Sequence, residues 1–248
     1  MEKLLDNKVI LVTGAGRGIG AAAARLFVAE GAQVMLAART ESELAVVAKE
    51  LDMRYVVCDL ADPDAIRAAV DRTVAEHGRL DAAFNNGAIG QPPGPMDGLS
   101  QEAFDQVYAV NLRGVWSAMV AEVAAIRATA GRGSIVNTSS VGSFQGNPAL
   151  PAYGALKRAV NSLTESAGIT YGPENIRVNA IAPGTTLTEM LRDWDRATPG
   201  VIDALIARTP LGRGAEPVEV AQAAAWLLSD RASYVTGAVL RVDGGLGV

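Results

Sequence analysis

The chain has 248 residues, of which 49% are apolar and 5% aromatic, and a net charge of −5. These figures suit one large α/β domain with a substantial core, and the lack of a basic run excludes the electrostatic footprint of a nucleic-acid binder. One cysteine and one histidine exclude an internal disulfide and a His/Cys metal cluster, so no metal is expected.

No apolar stretch approaches ~18 uninterrupted residues, so no membrane partner is expected. The start Met1-Glu2-Lys3-Leu4-Leu5-Asp6 has acids and no signal-peptide pattern, which predicts a cytoplasmic location. Residues 8–13 are a short apolar run that reads as a buried parallel strand. Gly14-Ala15-Gly16-Arg17-Gly18-Ile19-Gly20 follows, then an Ala-rich helix over 19–30. Strand, glycine loop and helix together make a phosphate cradle, with free N–H groups at the helix N-terminus. The glycine spacing is G-x-x-x-G-x-G, which is neither G-x-G-x-x-G nor a P-loop.

A second strand is predicted over 33–38. An acid at its end would hold the ribose 2′-hydroxyl of NAD. The chain instead has Ala38-Arg39-Thr40, and Arg39 with Arg17 suits a 2′-phosphate, which favours NADP(H). Thr40-x-x-Glu43 reads as a capping box opening a helix to Leu51. A third strand over 54–58 ends at Asp59-Leu60, where Asp59 suits an adenine amino group or a turn cap equally. Asp62-Pro63 starts a helix by N-cap and N1 proline. It ends at His77-Gly78, so His77 reads as a solvated end-of-helix residue and not as a triad base.

A fourth strand over 80–84 runs into Asn85-Asn86-Gly87-Ala88, a tight turn suited to a ligand. Gln91-Pro92-Pro93-Gly94-Pro95 is a loop. Residues 100–130 read as a long helix broken near Asn111, where a mid-helix asparagine invites a reason such as a held water or carbonyl. The fifth strand, 134–138, delivers Ser139 and Ser140, and a helix carrying Tyr153 runs to Tyr171. The sixth strand, 177–181, closes with Ala182-Pro183-Gly184. Residues 185–210 read as a substrate lid, with Leu187, Met190 and Leu191 either lining a pocket or packing the lid down. A last helix over 217–229 and a seventh strand over 239–242 complete the pattern. Repeated β-α units predict one Rossmann-like, doubly wound sheet of about seven mostly parallel strands, helices on both faces, over residues 1–248.

Tyr153 and Lys157, four apart on a helix, share one face. Free tyrosine titrates near ~10, so activity near neutrality asks for a shift of roughly 3 units, or ~4 kcal/mol. One cation about 4 Å away, at an effective dielectric of ~20, supplies that much. The pair therefore suits proton exchange with a substrate oxygen.

Together these residues resemble the short-chain dehydrogenase/reductase family in its shorter form, including its β-ketoacyl reductase-like members. Thr13-Gly14-x-x-x-Gly18-x-Gly20 is similar to the cofactor loop, and Asp59 to the adenine contact. Asn111, Ser140, Tyr153 and Lys157 are similar to the catalytic set, and Pro183, Gly184 and Thr188 to the segment beside the nicotinamide. The resemblance implies NADP(H) held by Gly14, Arg17, Gly18, Ile19, Gly20, Arg39, Asp59, Leu60, Asn86, Gly87, Tyr153, Lys157, Pro183, Gly184 and Thr188. It implies hydride exchange with a small-molecule carbonyl or alcohol and a homo-oligomer, tetramer or dimer. Tyr153 is the implied acid–base, Ser140 the oxygen ligand, Lys157 the group that lowers the Tyr153 pKa and binds ribose, and Asn111 the holder of a relay water. NAD-dependent alcohol oxidation is the alternative enzyme. A non-catalytic NADP(H)-binding sensor or scaffold is the alternative class, and it would lose the acid–base set. One departure is Gly87-Ala88, where the family reads Ala-Gly. A left-handed angle at Ala88 would cost about 1 kcal/mol or more.

Overall fold

The computed structural model describes residues 3–247. Seven strands form one fully parallel sheet: β1 (Val9–Thr13), β2 (Gln33–Ala38), β3 (Arg54–Val57), β4 (Ala82–Asn85), β5 (Gly133–Thr138), β6 (Ile176–Pro183) and β7 (Val239–Val242). The spatial order is β3-β2-β1-β4-β5-β6-β7. The order therefore reverses between β1 and β4, and the carboxyl ends of those strands frame a crevice. The sixth strand is longer than its sequence suggests. It runs through Pro183 because β7 pairs with it to the end, Val242 opposite Pro183.

The central strands are buried on two faces, whereas the edge strands β3 and β7 are partly exposed. Ile10, Val12, Val34 and Leu36 face one layer, while Leu11, Met35 and Ala37 face the other. The first layer is α1 (Gly18–Ala29), α2 (Glu41–Leu51) and α9 (Pro217–Leu228), packed through Ala23, Ala24, Ala221 and Ala224. The second is α3 (Pro63–His77), α5 (Gly114–Thr129) and α6 (Pro151–Tyr171). Few aromatics are needed because small residues bring helices close to the sheet.

Local rules explain most helix ends. The Asp62 carboxylate accepts from Asp64 N at 2.9 Å, and Gly78 at φ 77° ends α3. Two readings are corrected here. Thr40 precedes α2 without a side-chain cap bond, because Glu43 turns instead toward Arg17, 3.8 Å away. A capping box does form at α9, where Glu219 accepts from Glu216 N at 2.8 Å. His77 is half-buried, not solvated, and burial pushes its pKa down.

The long helical run divides into α4 (Gln101–Tyr108), a π turn over Ala109–Arg113, and α5. Residues Gln101–Thr129 reach a mean hydropathy of 1.2, long and apolar enough to cross a membrane by length and composition alone. Half of that window is buried within the protein, with Val115, Ala118, Val123 and Ile126 packed on the sheet.

Below the crevice lies a buried polar ladder. Asn85 donates to Glu122 (2.9 Å) and to Asn137 (3.1 Å), and Asn137 donates to Thr164 (3.0 Å). It ties α5, β4, β5 and α6 in one line. Glu122 is fully buried, and burial lifts its carboxyl from 4.5 to about 7 against the pull of the Asn85 hydrogen bond. Folding thus favours the protonated form. The contribution is full below the unfolded pKa of 4.5 and is lost as pH rises through about 7. Glu122→Gln is expected to match wild type near about pH 4 and to exceed it by up to ~3 kcal/mol near about pH 8 in urea melts. A difference independent of pH would contradict this.

Candidate active site

The glycine loop joins β1 to α1 at the crevice. A Cβ on Gly20 would lie 2.0 Å from the Gly14 carbonyl oxygen, so only glycine lets α1 begin this close to the strand. Arg17 precedes α1 and is exposed, and Ile19 is half-buried against the first layer. The Thr13 hydroxyl accepts from Asn86 N and Gly87 N, both at 3.1 Å, and locks the turn after β4 onto β1. That bridge was not legible as a role for Thr13.

The same turn resolves the Gly87-Ala88 exchange. Among the described residues, positive φ at non-glycine positions is confined to Asn7, Asp52 and Asn175, so Ala88 adopts no left-handed angle. Gly87 also has no left-handed angle, and a Cβ there would sit 2.4 Å from the movable end of the Leu60 side chain, Cδ1. Leu60 therefore lies against this turn. Asp59 accepts from Ala61 N at 2.9 Å through one carboxylate oxygen. Arg39 is exposed at the end of β2, with no ion pair among the described residues.

β6 ends at Pro183, and Gly184 N donates to the Val242 carbonyl at 3.1 Å. The following segment turns back over the glycine loop: the Thr188 methyl lies 3.3 Å from where a Gly18 Cβ would be. Thr188 also caps α7 (Glu189–Ala197), accepting from Leu191 N, and α8 (Val201–Arg208) follows. Leu191 is buried and Met190 is exposed.

Ser140 leaves β5 and accepts from Gly142 N at 3.2 Å. Tyr153 and Lys157 come from the first two turns of α6. Lys157 is 1% exposed, and its ammonium donates to the Thr138 carbonyl at 2.8 Å. It stands over the Tyr153 ring, 5.6 Å from the centroid. Here the expected electrostatics are corrected. Burial pushes the Tyr153 phenol up to about 12, with a hydrogen bond from Ser140 pulling it down. Burial also pushes Lys157 down to about 8. A cation over the ring face, itself weakened by burial, does not offset the desolvation of the phenol.

Asn111 sits in the π turn, fully buried. Its amide accepts from Ile89 N at 2.9 Å and donates to Ile89 O at 2.8 Å. The sequence flagged a reason for this asparagine, and the reason visible in the fold is a clamp on the loop after β4. That loop carries a residue missed by sequence: Gln91 is buried, and its amide oxygen accepts from Tyr153 N at 2.7 Å. No spacing rule points across a separation of 62 positions.

The residues present fit a dinucleotide. The glycine cradle is formed, Lys157 has one acceptor for its three protons, and the buried Thr138 hydroxyl has no hydrogen-bond partner among the described residues.

A family model described as enoyl-(acyl carrier protein) reductase matches residues 14–247. An A-factor type γ-butyrolactone 1′-reductase (1S-forming) of Streptomyces virginiae is 46% identical over 98% of this chain and 97% of its own length. A 2,5-dichloro-2,5-cyclohexadiene-1,4-diol dehydrogenase of Sphingobium indicum is 42% identical over 97% of each. The crystal structure of a 3-ketoacyl-(acyl-carrier-protein) reductase from Brucella melitensis complexed with NADH matches with a TM-score of 0.91 at 32% identity, over 98% of this chain and 100% of that one. With near full-length similarity on this sheet and this constellation, the chain belongs to the short-chain dehydrogenase/reductase family of hydride-transferring oxidoreductases.

Proposed function

We propose that the protein is an NADP(H)-dependent reductase of a ketone on a medium-sized, partly apolar, ring-bearing small molecule. The observation that carries this is the cluster of Tyr153, Ser140 and Lys157 at the crevice, with Ser140 hydrogen-bonded to the phenol and the Lys157 ammonium 5.6 Å from the ring centroid. A protonated phenol is a ready acid for a developing alkoxide, which is the need of reduction. A bound nicotinamide supplies or takes the hydride at the carbonyl carbon. Ser140 hydrogen-bonds the same oxygen and steadies its charge. Lys157, with two N–H groups beyond the one given to Thr138, would hold the cofactor ribose. Asn111 holds the loop beside the site, and a relay water fits its spare hydrogen-bonding capacity. Two relatives named for ring compounds, a butyrolactone and a cyclohexadienediol, support the substrate class. Residues 185–210, with α7 and α8, act as the lid over it.

Arg39 and Arg17 support NADP(H) through charge and the absence of an acid at Ala38. One observation favours NAD-dependent alcohol oxidation as the second reading: Glu43 stands 3.8 Å from Arg17 and partly neutralises it.

Two apolar faces support self-association. Trp116 and Val120 are exposed on α5, beside a groove of about 670 Å³ against α3, and Ile169, Tyr234 and Leu240 are exposed near β7. A second copy on each face makes a tetramer.

Tyr153→Phe is expected to lower kcat by ~10²- to 10⁴-fold while leaving NADPH binding near wild type. Retention of more than about a tenth of kcat with any accepted ketone would remove the acid role. Arg39→Ala is expected to raise the NADPH KM about tenfold or more with little change for NADH, a loss of ~1.4 kcal/mol. Equal changes for both cofactors would move the reading to NAD. Sedimentation is expected to give a dimer or tetramer that Trp116→Glu splits; a monomeric wild type would overturn the assembly.

A further inference from the structure

The helix that carries the acid–base pair lacks a cap of its own. The first N–H groups of a helix have no partner within it. In α6, Pro151 has no N–H, and Gly154 N donates to the Leu150 carbonyl at 3.0 Å. Leu150, at the N-cap, has no side-chain oxygen to offer. Tyr153 N is then the orphan donor nearest the chemistry, and it belongs to the residue whose phenol must be placed.

Gln91 supplies the partner from another part of the chain. Its Oε1 accepts from Tyr153 N at 2.7 Å, and the side chain is 7% exposed. Residues 89–95 read Ile-Gly-Gln-Pro-Pro-Gly-Pro, so Gln91 is the one side chain there able to make a hydrogen bond. Three prolines stiffen the segment. It is anchored at both ends. Asn111 grips Ile89 by both N–H and C=O, at 2.9 and 2.8 Å, and Gly94 N donates to the Ala149 carbonyl at 2.8 Å. A continuous brace thus runs from the π turn through Ile89 and Gln91 to the backbone of Tyr153.

We infer that Gln91 is a positioning residue: it caps the catalytic helix from the opposite wall of the crevice and sets where the Tyr153 phenol stands relative to Ser140. The inference deepens the reductase reading and rests on it for its kinetic arm. It does not rest on it for its structural arm, because the brace exists without substrate.

The experiment compares Gln91→Leu, which keeps the bulk and loses the acceptor, with Gln91→Glu, which keeps an acceptor and suits a helix N-terminus. Two quantities are read: deuterium exchange of the Tyr153 amide, and kcat and KM with NADPH and a cyclic ketone that wild type accepts. Gln91→Leu is expected to speed exchange and lower kcat about tenfold or more, since small displacements of reacting groups are costly. The NADPH KM is expected to stay near wild type, as Gln91 does not touch the glycine loop. Gln91→Glu is expected to restore slow exchange and most of kcat. The inference is overturned if Gln91→Leu leaves both exchange and kcat unchanged, or if Gln91→Glu falls as far as Gln91→Leu. Should Gln91→Leu fail to fold, the glutamate variant alone decides: wild-type exchange upholds the brace and fast exchange ends it. If wild type reduces no ketone, the reductase reading fails, and the exchange arm still judges Gln91.

Discussion

The edge of the crevice that carries Tyr153 depends on one joint, where α6 meets the end of β5. The Lys157 ammonium is almost wholly buried and is held by the Thr138 carbonyl at 2.8 Å. Next to it, the Ser139 hydroxyl donates to the Lys157 carbonyl at 3.1 Å, and Ser139 N donates across to Ile181 at 2.8 Å. A buried amine without a partner would cost several kcal/mol. The chain can place Lys157 there only if β5 ends in an exposed carbonyl at the right height, and that height is set by pairing with β4 and β6. The position of the phenol, one helical turn earlier, is inherited from this joint.

The joint also explains why the acid and the cation are perturbed in opposite senses. Desolvation penalises whichever form is charged, so it raises Tyr153 to about 12 and lowers Lys157 to about 8. Both shifts narrow the charge in the ligand-free crevice, leaving a neutral phenol ready to donate. An aqueous pocket would leave both groups nearer their ordinary values. Burial thus keeps the Tyr153 phenol protonated but makes it a weaker acid than free tyrosine, an effect the Ser140 hydrogen bond partly offsets.

Much of this was legible from sequence because parallel sheets write a simple signal. Runs such as Val9–Thr13 and Gln33–Ala38 are buried on both faces, so they read as continuous apolar strands bounded by glycines. Helix starts with a local cause, such as Asp62-Pro63, were legible for the same reason. What escaped was decided by distant partners. Thr40 and Glu43 fit a local capping rule, yet Glu43 is drawn to Arg17 of the adjacent glycine loop. Gly87 and Ala88 looked like a question of backbone angle, and the fold answers it by holding neither residue at positive φ. The break at Asn111 was visible as a poor helix residue, while its form, a π turn gripping Ile89, needed the fold.

Those distant partners share a logic. Strand ends are placed by the sheet ladder, but the loops leaving β4 and β5 have no ladder of their own, and they carry the chemistry. Side chains from neighbouring elements hold them instead. Arg158 donates from α6 to the carbonyls of Ser143 and Phe144, at 2.8 and 3.1 Å, and Asn161 donates to the Ser143 hydroxyl at 2.8 Å. Thr13 holds the turn after β4, and Asn111 and Gln91 hold the loop beyond it. Each bond is worth only about 1 kcal/mol to stability. Their value is geometric, because a misplaced reacting group costs rate far more steeply than it costs folding energy. Asn86, Gln91, Asn111 and Arg158 are accordingly engaged with backbone, and they fix the loops around this crevice without any ligand.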